Sequence, residues 1–429
     1  MKPNTRGRIH SIRVVVEHGA IQSASQVLGF LSGVLIVRAL DKTEYAQYSV
    51  VIAIIAAASV IADSGINATV MAIGGRVHGD SAATASLFSR AFRVRYVFGI
   101  PIVVLSCAWS SVLLAQNGLS WQGCVLLASI AAFTLLPTMA AGLLRVHYRL
   151  ELRARYMQVV DIGAALLRLV VVLVGMALGV VSSSFLLFGG LLVSALVFVA
   201  FWRGARAGEM LRARPTENAS EFWANIRRVL PMTVFLVASE QALLAIASFR
   251  GDPTIVAEMS ALSRFAVAFV VLNAIVSDII APRFSRAPNQ LSHLRKMVLG
   301  AFSAYFMVVV VFVFSVWLFS PLLLGLLGPG YAGLVFSLVL FAVGYGVANL
   351  AQAMNVISQA RGWVHWSWTY IPLSIVTLFL CAFVLPLRSI DDVAVMFVLQ
   401  CSPALVTQLA RIAAGLSRVR AQGSPRRTA

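Results

Sequence analysis

The chain has 429 residues, 60% of them hydrophobic and only 12% charged, with a mean hydropathy of +0.88. That composition excludes a soluble globular protein, whose surface needs far more charge, and defines an all-α polytopic membrane protein. The excess of 34 Lys+Arg over 16 Asp+Glu would suit nucleic acid, but the basic residues fall in alternating loops, as membrane topology requires, and no nucleic-acid partner is expected.

By length, about twelve apolar runs can each cross a bilayer. In chain order they are residues 18–37, 48–73, 96–116, 121–144, 157–180 and 183–202, then 229–249, 254–281, 297–327, 332–359, 366–387 and 393–412. Residues 1–17 carry Lys2, Arg6, Arg8 and Arg13 ahead of a run too long for a cleavable signal, so the first span reads as a retained anchor. The loop after the second span holds Arg76, Arg90, Arg93 and Arg95, and the loop after the fourth holds Arg145, Arg149, Arg153 and Arg155. Arg203, Arg206, Arg212, Arg214, Arg227 and Arg228 follow the sixth span; Arg283, Arg286, Arg295 and Lys296 follow the eighth; Arg411, Arg418, Arg420, Arg426 and Arg427 lie at the end. The opposite loops offer only Arg38, Lys42, Arg250 and Arg388. The positive-inside rule therefore places both termini and every strongly basic loop in the cytoplasm.

The polar stretch 203–228, with Pro215, Asn218 and mixed charge, divides the spans into two blocks of six. The expected organisation is an N-terminal six-helix bundle (1–202), a cytoplasmic linker (203–228) with a short surface helix at 221–228, a C-terminal six-helix bundle (229–412) and a basic tail (413–429). Two similar halves are what many transporters are built from, with a substrate site between them near the bilayer midplane.

Ionisable residues inside spans are costly unless they face each other, a cavity or a ligand. Glu240 and Gln241 lie near the middle of span 229–249, and Arg264 lies in span 254–281. In an antiparallel hairpin Glu240 and Arg264 sit at similar depth, about 15 Å below the outer turn by helical rise. They form either a binding site or an ion pair that lets the hairpin insert. Asp161 and Arg168 are seven residues apart, on one face two turns apart, and read either as a structural charge pair or with Arg168 on a central cavity. Asp63, toward the inner end of span 48–73, reads as a cap, a hinge or a partner of a basic loop; Asp278 and Glu258 read as interfacial. The six histidines fall in loops or at span edges, and the four cysteines lie in separate runs without metal or disulfide spacing. No phosphate-binding Gly-rich loop, His-Glu-x-x-His or Gly-x-Ser-x-Gly occurs. No catalytic residue, metal ligand set or cofactor is therefore expected, and an enzyme is not.

Three stretches resemble the polysaccharide-exporter branch of the multidrug/oligosaccharidyl-lipid/polysaccharide exporter superfamily. Gly29-Phe30-Leu31 through Arg38-Ala39-Leu40, then Glu44-Tyr45-Ala46-Gln47-Tyr48, is similar to that family's first helix ending in Arg-x-Leu and a Tyr-Gly-x-Tyr turn, with Ala46 in place of the glycine. Asp63-Ser64-Gly65-Ile66 resembles its Asp-x-Gly-hydrophobic signature. Glu240-Gln241-Ala242-Leu243-Leu244 through Val256-Ala257-Glu258-Met259 to Arg264-Phe265 is similar to acid-x-x-Leu-Leu followed by Val-Gly-x-Tyr-x-x-Ala-x-Arg-Leu, with Met259 where tyrosine is usual. The resemblance implies two six-helix bundles around a central cavity that opens alternately to each side. It implies flipping of an oligosaccharide carried on undecaprenyl diphosphate across the bacterial inner membrane, for O-antigen, capsule or exopolysaccharide. It further implies head-group contact by Arg264, which matches the family's arginine, with Glu240 and Gln241 of the same motif as further substrate candidates and Arg38 and Asp63 as gating or structural residues. Arg168 and Asp161, which no motif supports, are substrate candidates from their place inside a span alone. Membrane lipids, a polysaccharide polymerase and export machinery are the implied partners. The alternatives are an ion-coupled multidrug exporter of the same superfamily, with Glu240 as coupling carboxylate, and a membrane glycosyltransferase or polysaccharide polymerase, against which the short outer loops argue.

Overall fold

The computed structural model describes residues 23–77, 80–151, 153–205, 220–250, 253–276, 280, 283–284, 287–288, 290–361, 363 and 367–423. These residues are almost wholly helical, as a backbone in lipid must be, since every amide has to find its partner within its own segment. Ten helices among them are long and apolar enough to cross a membrane, and Ser23–Ala39 and Tyr370–Val384 are shorter apolar helices. The chain is a multi-pass membrane protein. It divides into two compact units, Met1–Ala257 and Glu258–Ala429.

The first unit runs α1 (Ser23–Ala39), α2 (Lys42–Asp63), α3 (Ile66–Arg76), α4 (Ser81–Gln116), α5 (Trp121–Leu150), α6 (Ala154–Leu178), α7 (Ser183–Gly204) and α8 (Ser220–Arg250). Its ends follow local chemistry. Asp41, Asp80, Ser120 and Ser182 each accept from backbone amides of a first turn, satisfying donors that a helix start leaves open. Gly179 closes α6 in the left-handed region, at φ +66°.

Several features of the first unit differ from the sequence reading. The expected span 48–73 is two helices, because Ser64 and Gly65 both take positive φ, +28° and +87°, and Asp63 caps the Asn67 amide at 3.2 Å across the break. The third span begins at Ser81 rather than 96, so Arg90, Arg93 and Arg95 are helical instead of loop residues, and Arg90 and Arg95 are buried. Residues 221–228 are not a separate surface helix. They are the first turns of α8, with Phe222 and Ile226 buried against Ile66, Val70, Phe88 and Phe92. Because α8 packs against α2, α3 and α4, the compact division falls at Ala257/Glu258 rather than within 203–228. Asp278 and most of 203–219 lie outside the described residues.

Helix α9 (Pro253–Leu262) spans the division, and the second unit continues with a tight 3-10 stretch Ser263–Val267, α10 (Ala268–Ile275), α11 (Leu291–Leu318), α12 (Ser320–Leu327), α13 (Val335–Ala360), α14 (Tyr370–Val384) and α15 (Ile390–Gly423). The expected continuous spans 254–281 and 297–327 are thus interrupted, at Ser263–Val267 and at Phe319. Its core joins Phe269, Leu294, Tyr305, Leu350, Met354 and Ile412, with α13 packed along α15.

Candidate functional site

The first unit encloses a cavity of about 690 Å³ lined from α1 to α7. The α2–α3 joint places Asp63 and Asn67 on one wall, and the early start of α4 carries Arg95 to meet them. Arg95 Nη1 donates to Asp63 Oδ1 at 3.3 Å and to Asn67 Oδ1 at 2.9 Å. The guanidinium is nearly fully buried, at 3% exposure, so these acceptors are what makes its charge tolerable there. Its space is provided by Gly142 of α5, where a Cβ would stand 3.2 Å from Arg95 Nη2.

A second pair occupies the same cavity. Arg145, in the extended last turns of α5, donates through both terminal nitrogens to the two Asp161 oxygens, with Nη1 to Oδ2 at 3.0 Å. That is the fork geometry in which arginine holds planar oxyanions. The Arg145 guanidinium carbon also lies 5.1 Å from the Phe201 ring centroid, a favourable cation–π placement. Arg168, two turns after Asp161 on α6, lines the cavity too and is exposed. Among the described residues it makes no hydrogen bond or ion pair. Asp161 therefore pairs with Arg145, not with Arg168, because the extension of α5 brings a bidentate partner to it.

The cavity lining thus has three arginines against two aspartates. Both carboxylates are already engaged, and the cationic excess resides on Arg168. The free binding capacity of the cavity is for an anion.

The remaining sequence candidates lie apart from this lining. Glu240, in the second half of α8, is exposed and makes no hydrogen bond or ion pair among the described residues. Gln241 beside it donates from Nε2 to the Ala53 carbonyl at 3.4 Å, while its buried Oε1 has no partner among those residues. Arg264 lies in the 3-10 stretch of the second unit and is half-buried. Arg38, at the end of α1, is exposed. Arg95, Arg145 and Asn67 were missed as site residues, since arginines beyond an apolar run look like cytoplasmic loop charge. The signals that could have found them are Asp80 as an N-cap ahead of a Gly- and Pro-free run from Ser81 to Phe98, and the i, i+4 spacing of Asp63 and Asn67.

Fold and site together define a multi-pass membrane protein whose first unit holds a water-sized-to-ligand-sized cavity of net positive lining. No protein-family profile and no curated protein sequence matches the chain. Solved structures match over nearly its whole length. An inward-facing multidrug resistance MATE family transporter of the MOP superfamily aligns with TM-score 0.68 at 14% identity, over 93% of this chain and 96% of that one. The lipid II flippase MurJ, in an inward closed conformation, aligns with TM-score 0.70 at 10% identity, over 94% and 90%. A MOP superfamily transporter from Pyrococcus furiosus, described as having a binding pocket of reverse polarity, aligns with TM-score 0.62 at 13% identity, over 96% of each chain. The fold is that of MOP superfamily transporters, and all three of these neighbours are transporters or flippases rather than enzymes.

Proposed function

We propose that this protein is an alternating-access flippase that moves an oligosaccharide linked to undecaprenyl diphosphate across the bacterial inner membrane, in the service of cell-surface polysaccharide synthesis. The observation that carries the reading is the surplus cation at Arg168, in a cavity whose two carboxylates are both already held by arginines. A guanidinium in a low-dielectric site is stabilised by an anion and repels a cationic drug. Diphosphate offers several oxygens for bidentate contact, and the lipid tail and sugar need no charged partner. Arg264, Glu240 and Gln241, which are not among the residues of this lining, are kept in the proposal as further substrate contacts, Arg38 and Asp63 as gating or structural residues, and a polysaccharide polymerase and export machinery as downstream partners.

A second reading, an ion-coupled multidrug exporter, is favoured by one observation. Glu240 is a carboxylate without a hydrogen bond or ion pair among the described residues, the kind of group a transporter can use to carry a proton or cation. A deletion strain decides between the two. The flippase reading expects lipid-linked oligosaccharide to accumulate in the cytoplasmic leaflet, with rescue by the wild type and none by normally expressed Arg168→Ala or Arg264→Ala. Unchanged lipid-linked sugar with heightened drug sensitivity, rescued by the wild type and not by Glu240→Gln, would establish the exporter instead.

A further inference from the structure

The charge on the cavity lining poses an electrostatic problem. Three guanidinium groups share one wall system, and like charges in a low-dielectric site repel strongly unless each has a counter-ion. Asp63 and Asn67 answer for Arg95, whose side chain is almost completely buried. Asp161 answers for Arg145, but that pair differs: both side chains are about one-third exposed, at 33% and 30%. An ion pair open to the cavity to that degree can be separated at far smaller cost than a buried one. Arg168 follows Asp161 on the same helix face by two turns, about 10 Å of helical rise, and both long arginine side chains border the same space.

We infer that Asp161 is a resident counter-anion on Arg145, and that it makes the cavity select a diphosphate over a monophosphate by surrendering Arg145 only to a ligand with a second phosphate. This rests on the flippase reading and specifies what its site discriminates. A monophosphate that holds Arg168 has too few oxygens left to replace both Asp161 oxygens on Arg145, so the pair stays closed against it. A diphosphate can hold Arg168 with one phosphate and offer the other to Arg145 in the fork geometry that Asp161 now fills. Arg145 then keeps a bidentate anion, and the cost of leaving Asp161 unpaired is limited by its 30% exposure to the cavity. Asp161 thereby contributes specificity in the way repulsive elements do, by penalising the wrong ligand more than the right one.

The test uses the purified full-length protein in nanodiscs, with farnesyl diphosphate and farnesyl monophosphate as probes and binding read by calorimetry. The wild type is expected to prefer the diphosphate by about tenfold or more, one charge-assisted bidentate contact being worth at least that. Asp161→Asn removes the resident anion while preserving shape, so the monophosphate should bind about fivefold or more tighter and the preference should shrink to within about threefold. Arg145→Ala, a second and independent variant, removes the guanidinium that only the diphosphate reaches and should abolish the diphosphate preference. Diphosphate preference unaltered in both variants would overturn the role of Asp161 while leaving anion binding, and the flippase reading, standing. A wild type that binds neither phosphate would overturn both together.

Discussion

The two compact units bury arginine in opposite ways. In the first, Arg95 and Arg145 are matched by carboxylates around an open cavity. In the second, Arg411 of α15 is 5% exposed and is satisfied without any acid: Nε and Nη2 donate to the Trp363 carbonyl at 3.2 and 2.9 Å, and Nη1 donates to Asn355 and Gln408. Arg361 likewise donates to the Phe284 and Ala287 carbonyls, at 3.3 and 2.9 Å. These contacts tie the ends of helices to the short connections beside them. Neutral polar contacts also occur in this unit, with Tyr305 donating to Asn273 and Asn273 to Asn349. Arg145 in the first unit therefore belongs to an exchangeable ion pair open to a cavity, whereas Arg361 and Arg411 in the second work as fixed clamps on backbone. Exchange suits ligand binding and a clamp suits rigidity.

The comparison is broken most directly by removing one partner on each side. Asp63→Ala strands the buried Arg95 charge and should cost about 3–5 kcal/mol, lowering the thermal unfolding midpoint of the purified protein. Arg95→Met added to it should recover much of that loss, because the pair can be replaced by apolar packing. Arg411→Ala should cost about 3 kcal/mol by orphaning the Trp363 carbonyl and the Asn355 and Gln408 amides. Here no second substitution can restore the midpoint, since one acceptor is backbone. Equal rescue in both units would erase the distinction between pair and clamp.

Smaller effects test the α2–α3 joint that presents Asp63 to the cavity. Gly65 sits at φ +87°, and a Cβ there would lie 3.3 Å from Val229 Cγ2 of α8. Gly65→Ala should therefore destabilise by about 1–2 kcal/mol, read as a lower midpoint with transport reduced in proportion to folded protein. Asn225→Ala removes the 2.9 Å hydrogen bond from its Nδ2 to Thr69 Oγ1, which fastens the start of α8 to α3, and should cost about 1 kcal/mol.

How much of this was legible in the sequence depends on what each signal measures. Apolar length placed most spans, and α7 starts at the expected residue because Ser182 caps it. The seven-residue spacing of Asp161 and Arg168 puts both on one face, and both line the cavity. The partner of Asp161 was not legible, because Arg145 lies past the end of an apolar run and helical continuation there leaves no hydropathy trace. For the same reason Arg95 read as cytoplasmic charge, although it is among the most buried polar side chains of the first unit. The break at Ser64-Gly65 was hidden by an unbroken apolar pattern on either side of it. Hydropathy reports what a segment can sit in; it does not report which buried arginine has a carboxylate waiting on another helix.

The most direct measurement of the central claim, that the surplus cation of the first unit's cavity holds an anionic head group, is flipping in proteoliposomes. A fluorescent oligosaccharide on a prenyl diphosphate would be followed by its accessibility to an external sugar-cleaving enzyme, for the wild type and for Arg168→Ala. The expected result is a flipping rate lower by about tenfold or more for Arg168→Ala, with an unchanged unfolding midpoint, because Arg168 has no partner among the described residues to leave unsatisfied. Arg168→Ala flipping at the wild-type rate would contradict the claim.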